Sequence, residues 1–242
     1  MIEHFIVSGS SYKKGTRIVF HKAYMEGLDQ NEIVSFISEL QKSKGLKYSV
    51  HYIATSSSEW ESVVAYDSFF EGMEVYEKLT DFIDTLKNDV VIKGIDIAKY
   101  IIPKYQVSDH LALEKLVYFC YAEYLCKSRK RLFSDQVMAF DMGPVVDSVY
   151  AEYRGQSEIR SEISLDAARS RLMSLPDGIE ILNTIDSTLK KYGDYSGLEL
   201  MGLTHAKGSP WMYAYKPFSF RKEIPDEFIL KYHAAEAIAE AI

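Results

Sequence analysis

Along residues 1–88 the apolar positions switch between a two-residue and a 3.6-residue repeat. Short β-branched and aromatic runs at 4–7 (HFIV), 17–21 (RIVFH), 48–54 (YSVHYIA) and 61–66 (ESVVAY) predict strands. Between the second and third, DQNEIVSFISELQKSKG predicts a helix. Asp29 caps it with Glu32 three residues on, Ile33, Ile37 and Leu40 form its stripe, and Gly45 stops it. A further helix is expected over 73–87, with Val75, Leu79, Phe82, Ile83 and Leu86 as its apolar face. This is the pattern of a small α+β domain over 1–90, with the boundary in NDVVIKG (88–94), where periodicity is weakest.

Beyond the boundary the repeat is helical. GIDIAKYIIPK predicts a short helix ended near Pro103, since the residue before a proline is pushed out of the α region. The run 110–128, HLALEKLVYFCYAEYLCKS, is apolar nearly all round, interrupted only by Glu114, Lys115 and Glu123. Such a helix sits at the centre of a domain or under a partner. MAFDMGPVVDSVY (138–150) predicts an extended segment, a Gly-Pro turn and a helix opened by Val146, Val149 and Tyr150, with Pro144 preorganising the helix start. In GIEILNTIDSTLKKYG, Ile179, Leu182, Ile185, Leu189 and Tyr192 fall on one face, and Gly193 closes the helix. Ser196 and Glu199 have capping-box spacing, Ser209-Pro210 reads as N-cap and first helical residue, and 226–242 reads as an Ala-rich closing helix.

Composition narrows the function classes. The 242 residues carry a net charge of −7, which argues against broad nucleic-acid or membrane-surface binding. No apolar run reaches membrane-spanning length, and MIEHFIVSGS lacks the basic start and apolar core of a secretory signal. Cys120 and Cys126 lie about 120° apart around one predicted helix, a poor disulfide or metal pair. A reducing cytoplasm is the expected location.

Candidate chemistry is sparse. SGSSYKKGT (8–16) fails as a phosphate loop, with five residues between Gly9 and Gly15 and Thr16 where lysine is needed; it is expected to be a surface hairpin. The six histidines, His4, His21, His51, His110, His205 and His233, show no metal-ligand spacing. His205 in LTHAKGSPW is expected to be structural, its ring bonded to neighbouring backbone, with a catalytic role as the alternative. The cations of KSRKRLF (127–133) are expected to complement the end of their helix. No catalytic, cofactor or metal residues emerge.

Three segments in order are more specific than any one alone. Leu113, Lys115, Leu116, Tyr118 and Phe119 fit a helix of the form LxKLxYF. Gly143, Pro144, Val145 and Tyr150 fit a "GPV…vY" turn, with Phe140 where Trp or Tyr is usual. Leu200, Leu203, Thr204, His205, Pro210 and Trp211 fit "L..lTH…..PW". Over roughly 95–215 the chain therefore resembles the Panacea domain family, which includes SocA-like antitoxins and phage-associated GepA-like proteins. The resemblance implies an α+β chain: an accessory domain (1–90) ahead of a mainly helical Panacea domain (91–242). It implies a non-enzymatic, cytoplasmic antitoxin of a type II-like toxin–antitoxin system that neutralises a cognate protein toxin by direct binding. The alternatives are a phage- or prophage-associated DNA-binding regulator and an adaptor delivering the toxin to a protease. No helix-turn-helix is apparent, so DNA binding is disfavoured; self-association stays open. Lys115, Tyr118, Phe119, Gly143, Pro144, Tyr150, Thr204, His205, Pro210 and Trp211 are the family-motif residues, either structural or toxin-binding. Tyr12, Tyr118, Tyr150 and Trp211 are contact candidates that fit a core role equally.

Overall fold

β1 (Ile2–Ser11) and β2 (Thr16–Tyr24) pair antiparallel in a hairpin whose turn at Tyr12–Gly15 is the glycine-bearing loop 8–16. The computed structural model describes residues 1–43, 45–156, 158–160, 162–217 and 221–238. It is an α+β fold divided into two compact units, Met1–Val91 and Ile92–Ile242.

In the first unit β3 (Ser49–Thr55) flanks β1, and β4 (Glu74–Tyr76) runs parallel to β2, giving the order β3-β1-β2-β4. Strand alternation sends Phe5, Val7, Ile18 and Phe20 to one face and Ile6 and Val19 to the other. The first face is covered by α1 (Gln30–Lys42) and α3 (Leu79–Val90). Asp29 caps α1 by accepting from the amides of Asn31 and Glu32. The second face is covered by α2 (Trp60–Tyr66) and the 3-10 turn at Ser68–Phe70.

Two local expectations fail in this unit. ESVVAY is α2, not a strand: Val63 packs on Ile6, Val19 and Phe70, and the Ser62 hydroxyl donates to the carbonyls of Ser57 and Glu59. Burial of one valine against a sheet already in place overrides the β preference of Val63-Val64. The helix expected from 73 begins only at Leu79; Val75 is 40% exposed on β4, because residues 74–76 bond to β2 instead.

The same sheet joins histidines far apart in sequence. His4 and His21 share a 2.8 Å ring–ring hydrogen bond, His4 also bonds Thr55, and His51 bonds Ser8. Burial lowers all three pKa values; for His21, with the charge of His4 adding to it, the value falls to about 4. The pair is therefore neutral at physiological pH.

The second unit is built around α5 (His110–Ser128), capped by Asp109 and buried on all sides from Ala112 to Ala122. Packed on it are α8 (Gly178–Tyr192), α9 (Gly197–Thr204) and α11 (Asp226–Tyr232). A β-hairpin, β5 (Val137–Phe140) and β6 (Gly143–Val146), lies against its N-terminal half, and β7 (Lys222–Glu223) adds to β5. The remaining helices are α4 (Gly94–Tyr105), α6 (Asp147–Tyr153), α7 (Leu165–Met173) and α10 (Pro210–Ala214).

Here too tertiary contacts modify local expectations. α4 runs two residues past Pro103, because Lys104 Nζ and Tyr105 Oη both reach Asp186 on α8, at 2.6 and 2.8 Å. Pro144 sits inside β6, and the helix after it starts at Asp147, so the proline shapes a strand rather than a helix start. Ile179 is 66% exposed and Ile181 takes its place in the core. The closing helix stops at Tyr232 and passes into a 3-10 turn at His233–Ala235; residues 239–242 of that expectation lie outside the described residues. The cations after α5 pair with carboxylates rather than only with helix carbonyls: Lys130 with Asp177 at 2.8 Å and Arg131 with Asp226 at 3.5 Å.

Candidate functional site

Lys115 is fully buried at the point where α5 meets the hairpin, and its Nζ donates to the Pro144 carbonyl at 2.7 Å. Burial lowers its pKa to about 8. Its neighbour Glu114 is also buried; one oxygen accepts from the Val146 amide at 3.1 Å and the other lies 3.3 Å from His110 Nε2. Two charged side chains at consecutive positions thus tie α5 to both ends of β6.

Gly143 makes this close approach possible. Its φ is +101°, and a Cβ there would meet Thr204 Oγ1 at 2.8 Å and Lys115 Cε at 2.9 Å. Thr204 is itself buried, its hydroxyl donating to the Met201 carbonyl at the end of α9. His205 follows as the C-cap. Its ring stacks on Trp211 at 3.8 Å, and Nε2 is buried without a hydrogen bond among the described residues, so stacking rather than a backbone bond holds it. Burial lowers its pKa, and the charge of Lys115 lowers it further. Ser209 caps α10, Pro210 is its buried first residue, and Trp211 donates from Nε1 to the Phe140 carbonyl at 2.8 Å. The far face of Trp211 stacks on Tyr215 at 4.5 Å.

Lys115, Gly143, Pro144, Thr204, His205, Pro210 and Trp211 therefore converge, although 96 residues separate the first from the last (211 − 115). Tyr118 and Phe119 point elsewhere. Tyr118 donates to Glu236 at 2.6 Å, and Phe119 stacks on Tyr192 at 4.2 Å. Glu236 belongs to a buried network in which His233 Nδ1 lies 2.9 Å from Glu236 and Nε2 lies 3.7 Å from Glu123. Against the opposing effect of burial, the two carboxylates raise the His233 pKa to about 9, and Glu123, held by His233 and Lys191, falls to about 2.

A group with a raised folded-state pKa stabilises below its unfolded value and loses that contribution as pH climbs through the folded one. His233 should thus stabilise the second unit fully below about pH 6.5 and lose its contribution near pH 9. His233→Gln is expected to cost on the order of 2 kcal/mol at pH 6.5 and much less at pH 10. Melting curves of both proteins across that range check this; a constant difference would place the cost in packing alone. Lys115, with a lowered pKa, pushes the slope the other way between about pH 8 and its unfolded value, so the comparison between the two proteins carries the result.

Beside the converged motifs opens a cleft of about 870 Å3. The start of α5 contributes His110 and Glu114, and the hairpin contributes Ala139, Phe140, Met142 and Val145. α6 adds Tyr150 and Arg154, and the segment after α10 adds Tyr215 and Arg221. Tyr150 packs edge-on to Phe140, and Tyr215 donates to Asp141 at 2.8 Å. Of the motif positions, Lys115, Val145 and Tyr150 reach the cleft wall. Tyr12 lies in the other unit and is 44% exposed.

Sequence reasoning did not single out Glu114, Arg154, Tyr215 or Arg221. Arg154 could have been found four residues after Tyr150, one helical turn on; Tyr215 and Arg221 lie where the sequence carries no periodic signal. Among the described residues no cluster of three or more His, Cys, Asp or Glu side chains could hold a metal ion, and no helix is long and apolar enough to cross a membrane.

Comparison with known proteins agrees with the placement of the motifs. Residues 113–212 match the family described as "Antitoxin SocA-like, Panacea domain". Antitoxin SocA of Caulobacter vibrioides (strain NA1000 / CB15N) is 29% identical over 107 residues, covering 42% of this chain and 57% of that protein. No solved structure matches.

Proposed function

From the premise that this chain carries a SocA-like Panacea domain over residues 113–212, we propose that it is an antitoxin that neutralises a cognate protein toxin by tight, direct, non-covalent binding. The observation that supports this most is the way the matched motifs use their polar atoms. Lys115 bonds Pro144 and Trp211 bonds Phe140, joining α5 and α10 to the hairpin, while Thr204 bonds Met201 within α9 and His205 stacks on Trp211, so these side chains serve to hold the scaffold. A scaffold of this kind leaves partner choice to the surface around it. The relative's name says antitoxin, and a protein partner is the natural counterpart of a cleft flanked by exposed Met142 and the aromatic side chains Phe140, Tyr150 and Tyr215.

The test is induced expression of the reading frame adjacent to this chain's gene, in bacteria with and without this chain, followed by co-purification. Growth arrest that this chain relieves, with a stable complex, is the expected result. Absence of toxicity, or toxicity that this chain does not relieve, overturns the reading. Relief with falling toxin levels only in protease-competent cells would make the chain a delivery adaptor.

A further inference from the structure

We propose that the cleft of the second unit receives a carboxylate-bearing segment of the partner protein, with Arg154 and Arg221 as the receiving pair. The proposal rests on the antitoxin reading and names the chemistry of its contact. The Arg154 guanidinium lies 5.9 Å from the Tyr150 ring centre, and that of Arg221 lies 5.8 Å from the Phe140 ring centre. Both residues are exposed, and neither forms an ion pair among the described residues. Elsewhere in the unit Lys104, Lys130, Arg131 and Lys191 each have a carboxylate. Both arginines lie on the wall of the same cleft.

An arginine laid on an aromatic face keeps its N–H fork free for a planar bidentate acceptor, which is the geometry a carboxylate offers. The two carboxylates that line the cleft are occupied: Glu114 by the Val146 amide and His110, and Asp141 by the Tyr215 hydroxyl. Lys115 is held on the Pro144 carbonyl. The wall between is apolar, from Ala139, Phe140 and Val145. Met142, 48% exposed at the hairpin turn, adds a residue type enriched in protein interfaces. The chain's overall charge of −7 does not oppose this, since at physiological salt a contact responds to charges within about 8 Å. A free phosphate is the poorer fit. Phosphate sites draw on backbone amides at a helix start, and the Leu111 and Ala112 amides at the start of α5 are taken by Asp109.

The probe is the protein encoded beside this chain, with binding to the full chain measured by titration calorimetry. Arg154→Glu/Arg221→Glu is expected to weaken binding at least about 30-fold while the melting temperature stays near that of the wild type. Arg160→Glu is the control: Arg160 is exposed, pairs with Glu158 and lies outside the cleft. Reversing one acidic residue of the partner to arginine should restore about tenfold of the loss to the double variant. Binding by the double variant within about threefold of wild type, or failure of every acidic reversal to restore it, overturns the proposal. So does binding of inorganic phosphate or ATP to the free chain that the double variant loses, which would make the cleft a small-anion site. If the wild-type chain forms no complex, the antitoxin reading itself falls, and the proposal with it.

Discussion

Gly143→Ala is expected to destabilise the second unit by about 3 kcal/mol, lowering its melting temperature by roughly 6–12 °C. Two effects add. At φ +101° any residue with a Cβ is strained, and here the Cβ would also overlap Thr204 Oγ1 at 2.8 Å and Lys115 Cε at 2.9 Å. Gly155 separates them. It has φ +77° and nothing within 4 Å of an added Cβ, so Gly155→Ala should show backbone strain alone, about 1 kcal/mol. Thermal unfolding of both variants gives the answer. Equal losses would mean that the tight approach of hairpin to α5 contributes nothing, and that the glycine serves its own turn only.

Lys115→Ala should cost about 3–4 kcal/mol, whereas Lys115→Met should cost about 1 kcal/mol at pH 7. Alanine leaves a void beside Gly143 and an unbonded Pro144 carbonyl; methionine fills the stem's volume and leaves only the carbonyl. Methionine also removes a buried ammonium whose pKa is lowered to about 8 by desolvation. The sign follows: a lysine of lowered pKa penalises folding below about pH 8 and less as pH climbs toward its unfolded value. Denaturant midpoints for the Met variant should therefore compare best with wild type at pH 6 and worst near pH 10. If Met costs as much as Ala at every pH, the hydrogen bond to Pro144 outweighs both packing and charge burial.

The elements with long, one-signal patterns were legible in the sequence. α5 spans His110 to Ser128, the run the sequence marks as apolar nearly all round, and the caps Asp29, Ser196 and Ser209 act where their spacing puts them. What failed was set by partners distant in the chain. Val63 chose a helix because Ile6 and Val19 offered a place for it, and Val75 joined a strand because β2 had a free edge. α4 did end near Pro103, two residues beyond it, where Lys104 and Tyr105 reach Asp186. The cleft was legible only in part. Gly143, Lys115 and Tyr150 stand in recognisable motifs and Arg154 follows Tyr150 by one turn, but Arg221 meets Phe140 across the fold, and Glu114 looked like a polar interruption of an apolar helix. The pairing of His4 with His21 depends on hairpin register, which spacing rules for metal ligands do not sense.

The centre of the second unit is synthesised long before the residues that complete it. Tyr118 reaches Glu236 across 118 positions, and Tyr121 reaches Asp226 across 105. On the ribosome the first unit can close within its own 91 residues while the second is still being made. α5 then emerges as an apolar helix whose cover comes in stages, from β6, then α8 and α9, and later from α11. During that interval the nascent chain is a natural client for chaperones, and a truncation before residue 226 would leave the part of α5 under α11 uncovered, with Tyr118 and Tyr121 lacking their carboxylates.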